Sequence, residues 1–301
     1  MTRCGFVAIA GRPNVGKSTL VNQLVGTKVA VASDKPQTTR RAIRGIVNGE
    51  RDGEAFQLVL VDLPGVQRPR DELTTRMQRR VERELADCDV ALMVINAAEQ
   101  VGPGDRFIAK ALISGGTPVL VAVNKTDAVG RDLIVQGLFA AARLEDAGLD
   151  LRGVFPISAM TGAGIDALLD TLVPMMPEGP LHYPADEPTD QPREQRLAEL
   201  IREQALLRTR EEIPHSIEVQ VDELEQGDEI ITVAATLLVE TESQKGILIG
   251  RQGSMIKAIG TAARQELQFT LSSRVHLDLR VQVRKGWRGD GSLLDRLGIE
   301  G

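Results

Sequence analysis

The sequence predicts an α/β protein: a first domain with a mainly parallel sheet and helices on both faces, followed by a smaller α/β domain. Three observations carry this. Apolar runs at 6–10, 56–61, 119–123 and 154–157 read as buried strands and alternate with helical stretches at 72–86, 105–113, 131–147 and 165–172, the order that winds a parallel sheet. Six of the 14 prolines fall between Val173 and Arg193, where neither a helix interior nor a central strand would tolerate them. Beyond them the apolar period becomes two, at Ile217, Val219 and Val221 and again at Ile231, Val233, Ala235, Leu237 and Val239, as in strands with one face solvated or covered. The expected division is 1–175 for the first domain, 176–193 for an extended linker, 194–288 for the second domain and 289–301 for a tail.

Strand 6–10 feeds Gly11-Arg12-Pro13-Asn14-Val15-Gly16-Lys17-Ser18, and a helix opens there and runs to Val25. Gly11 and Gly16 let backbone N–H groups turn inward around a phosphate at a helix N-terminus. The cradle comprises Gly11, Asn14, Val15, Gly16, Lys17, Ser18 and Thr19. Lys17 reaches the β- and γ-phosphates, and the Ser18 hydroxyl can ligate Mg²⁺. Residues 44–48 and 56–61, joined by the polar turn 49–54, read as an antiparallel hairpin at the sheet edge. Its second strand ends at Asp62-Leu63-Pro64-Gly65; Asp62 can hold Mg²⁺ through water, and the Gly65 N–H can meet a γ-phosphate.

Strand 119–123 ends at Asn124-Lys125-Thr126-Asp127. The Asp127 carboxylate can accept from N1–H and the exocyclic amine of guanine; adenine has no such donor pair, so ATP would leave the carboxylate unpaired. Asn124 belongs to the same guanine-binding set, and Lys125 would lie along the base. Strand 154–157 runs into Ser158-Ala159, whose backbone can touch the guanine carbonyl. Each motif alone is more often a plain loop. Four in order, each at a strand end, specify a guanine-nucleotide site taking GTP or GDP with Mg²⁺.

A hydrophobic fraction of 42% with only 3% aromatic residues promises aliphatic cores. Cys4 and Cys88 suggest no disulfide framework, and the scattered His182, His215 and His276 offer no metal spacing. No apolar run approaches a membrane span of ~20 residues, so the expected location is the cytoplasm, with peripheral contact at the inner membrane face left open. The net charge of −6 hides a partition. Residues 186–242 hold 5 Lys/Arg against 16 Asp/Glu, whereas 244–288 hold 9 against only Glu266 and Asp278. That basic stretch contains Gly250-Arg251-Gln252-Gly253, set between an Ile-Leu-Ile segment and a helix reaching Leu271. A Gly-x-x-Gly turn is weak alone, since the chain has three. In this place it would let an RNA backbone approach while a hydrophobic groove takes splayed bases. The expected RNA-binding residues are Lys245, Gly250, Arg251, Gln252, Gly253 and Lys257; a bland capping turn is the alternative. Leu197, Leu200, Ile201 and Leu207 mark the buried face of the helix that opens this domain.

With these motifs the chain resembles the Era family, Ras-like GTPases whose second domain is a type II KH fold, over essentially its whole length. The more specific carriers are Lys35-Pro36-Gln37-Thr38-Thr39-Arg40, Tyr183-Pro184 with Thr189-Asp190, Glu211-Glu212-Ile213-Pro214-His215-Ser216, Ser243 through Gly250, and Trp287-Arg288. The resemblance implies a factor that binds the 3′-end region of small-subunit ribosomal RNA and assists assembly of the small ribosomal subunit; a monomer is the expected state. It makes Thr39, with Thr38 the near alternative, the second Mg²⁺-ligating hydroxyl, and Lys17, Thr39 and Gly65 the catalytic set. Leu63 stands where the family usually has Thr, and Gln195 and Arg196 stand near a usually aromatic position.

Hydrolysis needs an oriented water and charge compensation. Val66 occupies the place of the Ras-like glutamine and cannot serve; Gln67 follows it, although an exposed loop glutamine is the better reading. Asn14 stands where related GTPases hold K⁺, against a purely structural asparagine. Arg68, Arg70, Arg76, Arg79, Arg80 and Arg83 give the second switch a basic flank that RNA or the ribosome can touch. Trp287 can stack on a base or pack at the domain edge. The competing functional reading is a GTPase with a different RNA, membrane or cell-cycle partner, its second domain a protein-interaction module.

Overall fold

In the computed structural model, which describes residues 2–32, 40–65, 70–209, 216–227 and 229–299, β1 (Arg3–Gly11) pairs in parallel with β3 (Glu54–Asp62) and β4 (Val90–Asn96). β4 continues in parallel to β5 (Val119–Asn124), and β5 to β6 (Leu151–Pro156). β2 (Ile43–Arg51) joins β3 antiparallel, so the sheet order is β2-β3-β1-β4-β5-β6. Strands apolar on both faces need cover on both. One cover is α1 (Lys17–Val25) and α5 (Ile165–Leu172), through Leu20, Val21, Leu168 and Leu172. The other is α2 (Glu72–Asp87), α3 (Pro103–Gly115) and α4 (Arg131–Ala142), through Val81, Leu85, Ile108, Leu112 and Ala141. The helix expected over 131–147 stops at Ala142 because Leu144 turns into the core and Gly148 takes φ 96; only a short turn, Glu145–Ala147, follows.

The proline-rich segment is extended, but it is docked rather than free. Gln57 is buried within the apolar run of β3. Its Oε1 accepts from the backbone N–H of His182 (2.9 Å) and Tyr183 (3.0 Å), and its Nε2 donates to Tyr183 O (2.9 Å) and Asn48 Oδ1 (2.8 Å). Farther along, Ile46 N donates to Pro188 O, and Asn48 Nδ2 to Ala185 O. The segment thereby covers the edge strand β2, whose unpaired groups would otherwise invite pairing with another chain.

The second sheet has the order β7-β8-β9. β7 (Glu218–Gln226) pairs antiparallel with β8 (Ile230–Val239), and β8 parallel with β9 (Arg274–Val283). α6 (Arg193–Arg208), α7 (Glu242–Ile249) and α8 (Ser254–Leu271) cover one face through Leu197, Leu200, Ile201, Leu248, Ile259, Ala263 and Leu267. Leu207 departs from expectation: it is 51% exposed, while Ala205 and Leu206 are buried. The helix is enclosed on nearly every side from Leu197 to Leu206, between the sheet and the first domain, and Leu207 falls in its last turn beyond that enclosed stretch.

The two domains touch directly, although the linker separates them in sequence. α9 (Gly291–Arg296) returns to α2, and Leu73 and Met77 form one core with Leu238, Trp287, Leu293, Leu294, Leu297 and Ile299. Trp287 is fully buried and donates from Nε1 to Ser216 O at 3.1 Å, so it packs and does not stack on a base. Beside it, Arg40 donates to Ile217 O (2.6 Å) and Glu218 (2.8 Å), and Arg41 to Glu199, Glu218 and Leu297 O. Part of the basic flank of α2 is used internally as well: Arg76 binds Asp295 and Ile299 O, and Arg80 binds Glu84.

Candidate functional site

The phosphate loop leaves the end of β1 and closes on α1. Asn14 (φ 65) and Gly16 (φ 100) take the left-handed conformation. A Cβ on Gly16 would lie 2.3 Å from Asn124 Nδ2, so no other residue type fits there. Lys17 is buried at the helix start, and its Nζ donates to Gly11 O and Arg12 O, both at 3.1 Å. Burial pushes the Lys17 pKa down, opposed by the charge of Asp62. Those carbonyl bonds are ones that phosphate oxygens can replace. Ser18 Oγ donates to Asp62 Oδ2 at 2.7 Å, which brings a hydroxyl and a carboxylate together beside the cradle. This all-oxygen pair fits Mg²⁺, which keeps several waters and completes its shell on phosphates. Among the described residues no group of three or more His, Cys, Asp or Glu gathers as a metal site. Gly65 packs against the loop, where a Cβ would approach Pro13 Cγ to 3.0 Å. Val15 is buried and Thr19 half-buried on the first turn of α1. Leu63 is fully buried in the sheet core and does not reach the cradle.

The guanine motifs converge on this loop. Asn124 donates from Nδ2 to Val15 O (2.8 Å) and accepts at Oδ1 from Ala159 N (2.9 Å); its second amide hydrogen remains for a base. Lys125, at φ 68, donates to Asn14 O at 2.7 Å. Ser158 Oγ donates to Asp127 Oδ1 at 2.5 Å and accepts from Thr161 N at 3.1 Å, which ties the carboxylate to the loop after β6. Thr38, Thr39, Val66, Gln67 and Arg68, together with residues 211–215, lie outside the described residues.

In the second domain, α7 ends at Gly250 (φ 72), and the turn continues through Gln252 (φ 53) and Gly253 (φ 76) into α8. Arg251, Gln252 and Lys257 are exposed, and Lys245 is half-buried. The two glycines are not equivalent. A Cβ on Gly250 would meet Met255 N at 2.8 Å, whereas Gly253 faces open space. The entry of α8 would therefore shift on substituting Gly250, which makes Gly253 the cleaner position to alter. A cleft of about 440 Å³ lies beside the turn, lined by Arg208, Ser254, Lys257, Ala258, Thr261, Ala262 and Gln265. Sequence reasoning missed Arg208, which lines this cleft from the end of α6 and sits within the acidic stretch.

Comparison with known proteins follows the same division. Residues 6–125 match the family model described as 50S ribosome-binding GTPase, and residues 212–288 match the KH domain model. The GTPase Era of Mycobacterium tuberculosis H37Rv is 47% identical over 301 residues, covering 98% of each chain. That of Mycolicibacterium paratuberculosis is 46% identical over 302 residues, covering 99% of each. A crystal structure of an Aquifex aeolicus Era variant bound to GDP.AlF4- superposes with a TM-score of 0.93 at 36% identity, covering 99% of this chain and 100% of that one. An Era structure in complex with MgGDPNP and nucleotides 1506–1542 of 16S ribosomal RNA gives the same TM-score and identity, covering 100% of both chains. The chain belongs to the GTPase Era family.

Proposed function

We propose that this chain binds and hydrolyses GTP with Mg²⁺ and uses its KH domain to hold the 3′-end region of small-subunit ribosomal RNA during subunit assembly. The observation that carries this is the direct bonding of all the guanine motifs to one another and to the phosphate loop: Asn124 to Val15, Lys125 to Asn14, Ser158 to Asp127. The working division is 1–175 for the nucleotide domain, 176–193 for the docked linker, 194–288 for the RNA-binding domain and 289–301 for the tail. The cytoplasm is its place of action, and no described helix is long and apolar enough to cross a membrane.

Lys17 exchanges the Gly11 and Arg12 carbonyls for phosphate oxygens, and the Gly65 N–H meets the γ-phosphate. Ser18, Thr39 and, through water, Asp62 would hold Mg²⁺, which neutralises charge on the phosphates when bound. Val66 can neither accept a proton nor hydrogen-bond through its side chain, so backbone groups of the two switches orient the water, and the unassisted rate is slow, on the order of 10⁻⁴ to 10⁻² s⁻¹. Asn14 would supply a ligand for K⁺. Hydrolysis should then run faster in K⁺ than in Na⁺ at equal ionic strength, and Asn14→Ala should erase the difference. Equal wild-type rates in the two salts would remove K⁺ from the mechanism.

The RNA reading rests on the exposed Arg251 and Lys257 beside a turn whose Gly253 lets a backbone approach. Filter binding of a small-subunit rRNA 3′-end oligonucleotide to the full chain, repeated across salt concentrations, tests it. Arg251→Ala with Lys257→Ala should weaken binding and flatten the salt slope by about 1.4, roughly 0.7 per lost single-strand phosphate contact. Gly253→Asp should weaken it further by repulsion. Wild-type affinity and slope in these variants would reduce the turn to a cap between two helices.

A further inference from the structure

Arg12 is the second residue of the phosphate loop, and its side chain turns away from the nucleotide cradle. Nε donates to Asp105 Oδ1 at 2.8 Å, and Nη2 meets Glu99 Oε2 at 2.8 Å. Asp105 is fully buried in the first turn of α3, and its other oxygen accepts from Gly102 N at 2.9 Å. Glu99 also accepts from Asn96 Nδ2, at the end of β4. The start of α3 leaves room for this contact: a Cβ on Gly104 would lie 2.6 Å from Arg12 Cδ. The backbone of Arg12 faces the chemistry, because its carbonyl is one of the two that Lys17 Nζ occupies.

From this geometry we propose that Asp105 and Arg12, with Glu99, form a positioning clamp that fixes the phosphate half of the nucleotide site. The guanine motifs hold the loop at Asn14 and Val15 from one side; the clamp holds it at Arg12 from the other. Neither side chain need touch substrate. The clamp sets where the Gly11–Arg12 carbonyls and the Lys17 ammonium stand, and a misplacement of about 1 Å in such groups costs on the order of 100-fold in rate.

The proposal rests on the nucleotide reading, which wild-type titration with GDP and GTP checks separately in the same experiment. Asp105→Asn keeps an acceptor for Gly102 N–H but turns an amide donor toward Arg12 Nε. Arg12→Ala and Asp105→Asn should each raise the Kd for GTP and GDP and lower the single-turnover hydrolysis rate by about 10- to 100-fold. The preference for GTP over ITP should stay at the wild-type value, since Asp127 is untouched. The double variant should be no worse than the worse single, and Arg12→Lys, which keeps the charge and the fold, should fall between wild type and Arg12→Ala. Wild-type affinity and rate in Arg12→Ala would overturn the clamp. So would losses that multiply in the double variant, or a fall in GTP over ITP preference that tracks a fall in melting temperature.

Discussion

Asp127→Asn should lower GTP affinity by about 10⁴-fold while raising affinity for xanthosine triphosphate. The carboxylate accepts two hydrogen bonds from guanine, and an amide in its place sets donor against donor, which leaves buried polar groups unpaired. Ser158 Oγ holds Asp127 Oδ1 at 2.5 Å, and the same hydroxyl can donate to the amide oxygen of the variant. Its NH₂ then points to the base position, where xanthine offers a carbonyl. Equilibrium titration with both nucleotides gives the answer; an unchanged GTP curve would take Asp127 out of the site.

Glu218→Gln should cost about 3–5 kcal/mol of stability, the usual penalty for leaving a buried ion pair without one partner. Glu218 is fully buried at the start of β7 and accepts from both Arg40 and Arg41, the residues that directly follow Thr39. Burial alone would push its carboxyl up, but the charges of Arg41 and Arg40 outweigh it and bring the carboxyl down to about 2 from 4.5. A depressed carboxyl stabilises the fold above its ordinary value and loses that contribution as pH falls through the folded value. The gap between wild type and variant in urea unfolding should therefore hold steady above about pH 4.5 and close toward pH 2. A variant that unfolds with the wild type across that range would show that the arginines find compensation elsewhere.

The nucleotide site was legible because each of its motifs is contiguous and ends an apolar run, so position and chemistry could be read together. The same test passed over β4: Val90–Asn96 is as apolar as its neighbours but ends in no recognisable chemistry. Contacts set by the folded chain were invisible. Asp105 looked like an ordinary first-turn carboxylate of α3, 93 positions from the arginine it holds. Gln57 interrupts an apolar run as a surface residue would, yet it anchors the linker. Trp287 offered two readings that no local pattern could separate, since its partners Leu73 and Met77 belong to another domain. Periodicity placed α6 but set Leu207 on the buried side, because the helix is enclosed nearly all round from Leu197 to Leu206 and offers no single apolar stripe to read.

The position of α9 also bears on the order in which the molecule can be made. Chains emerge from the ribosome N-terminus first, and domains fold as units while they do so. The larger sheet and its helices are complete once α5 has emerged, so that part can fold early. Leu73 and Met77 of α2 then wait uncovered, because Trp287, Leu293, Leu294, Leu297 and Ile299, which bury them, emerge only after the whole second sheet. Docking of the two domains is thus a late event in synthesis. Until it occurs, the nascent protein presents an apolar patch on a helix at the nucleotide switch, and early release or truncation before residue 287 would make that exposure permanent.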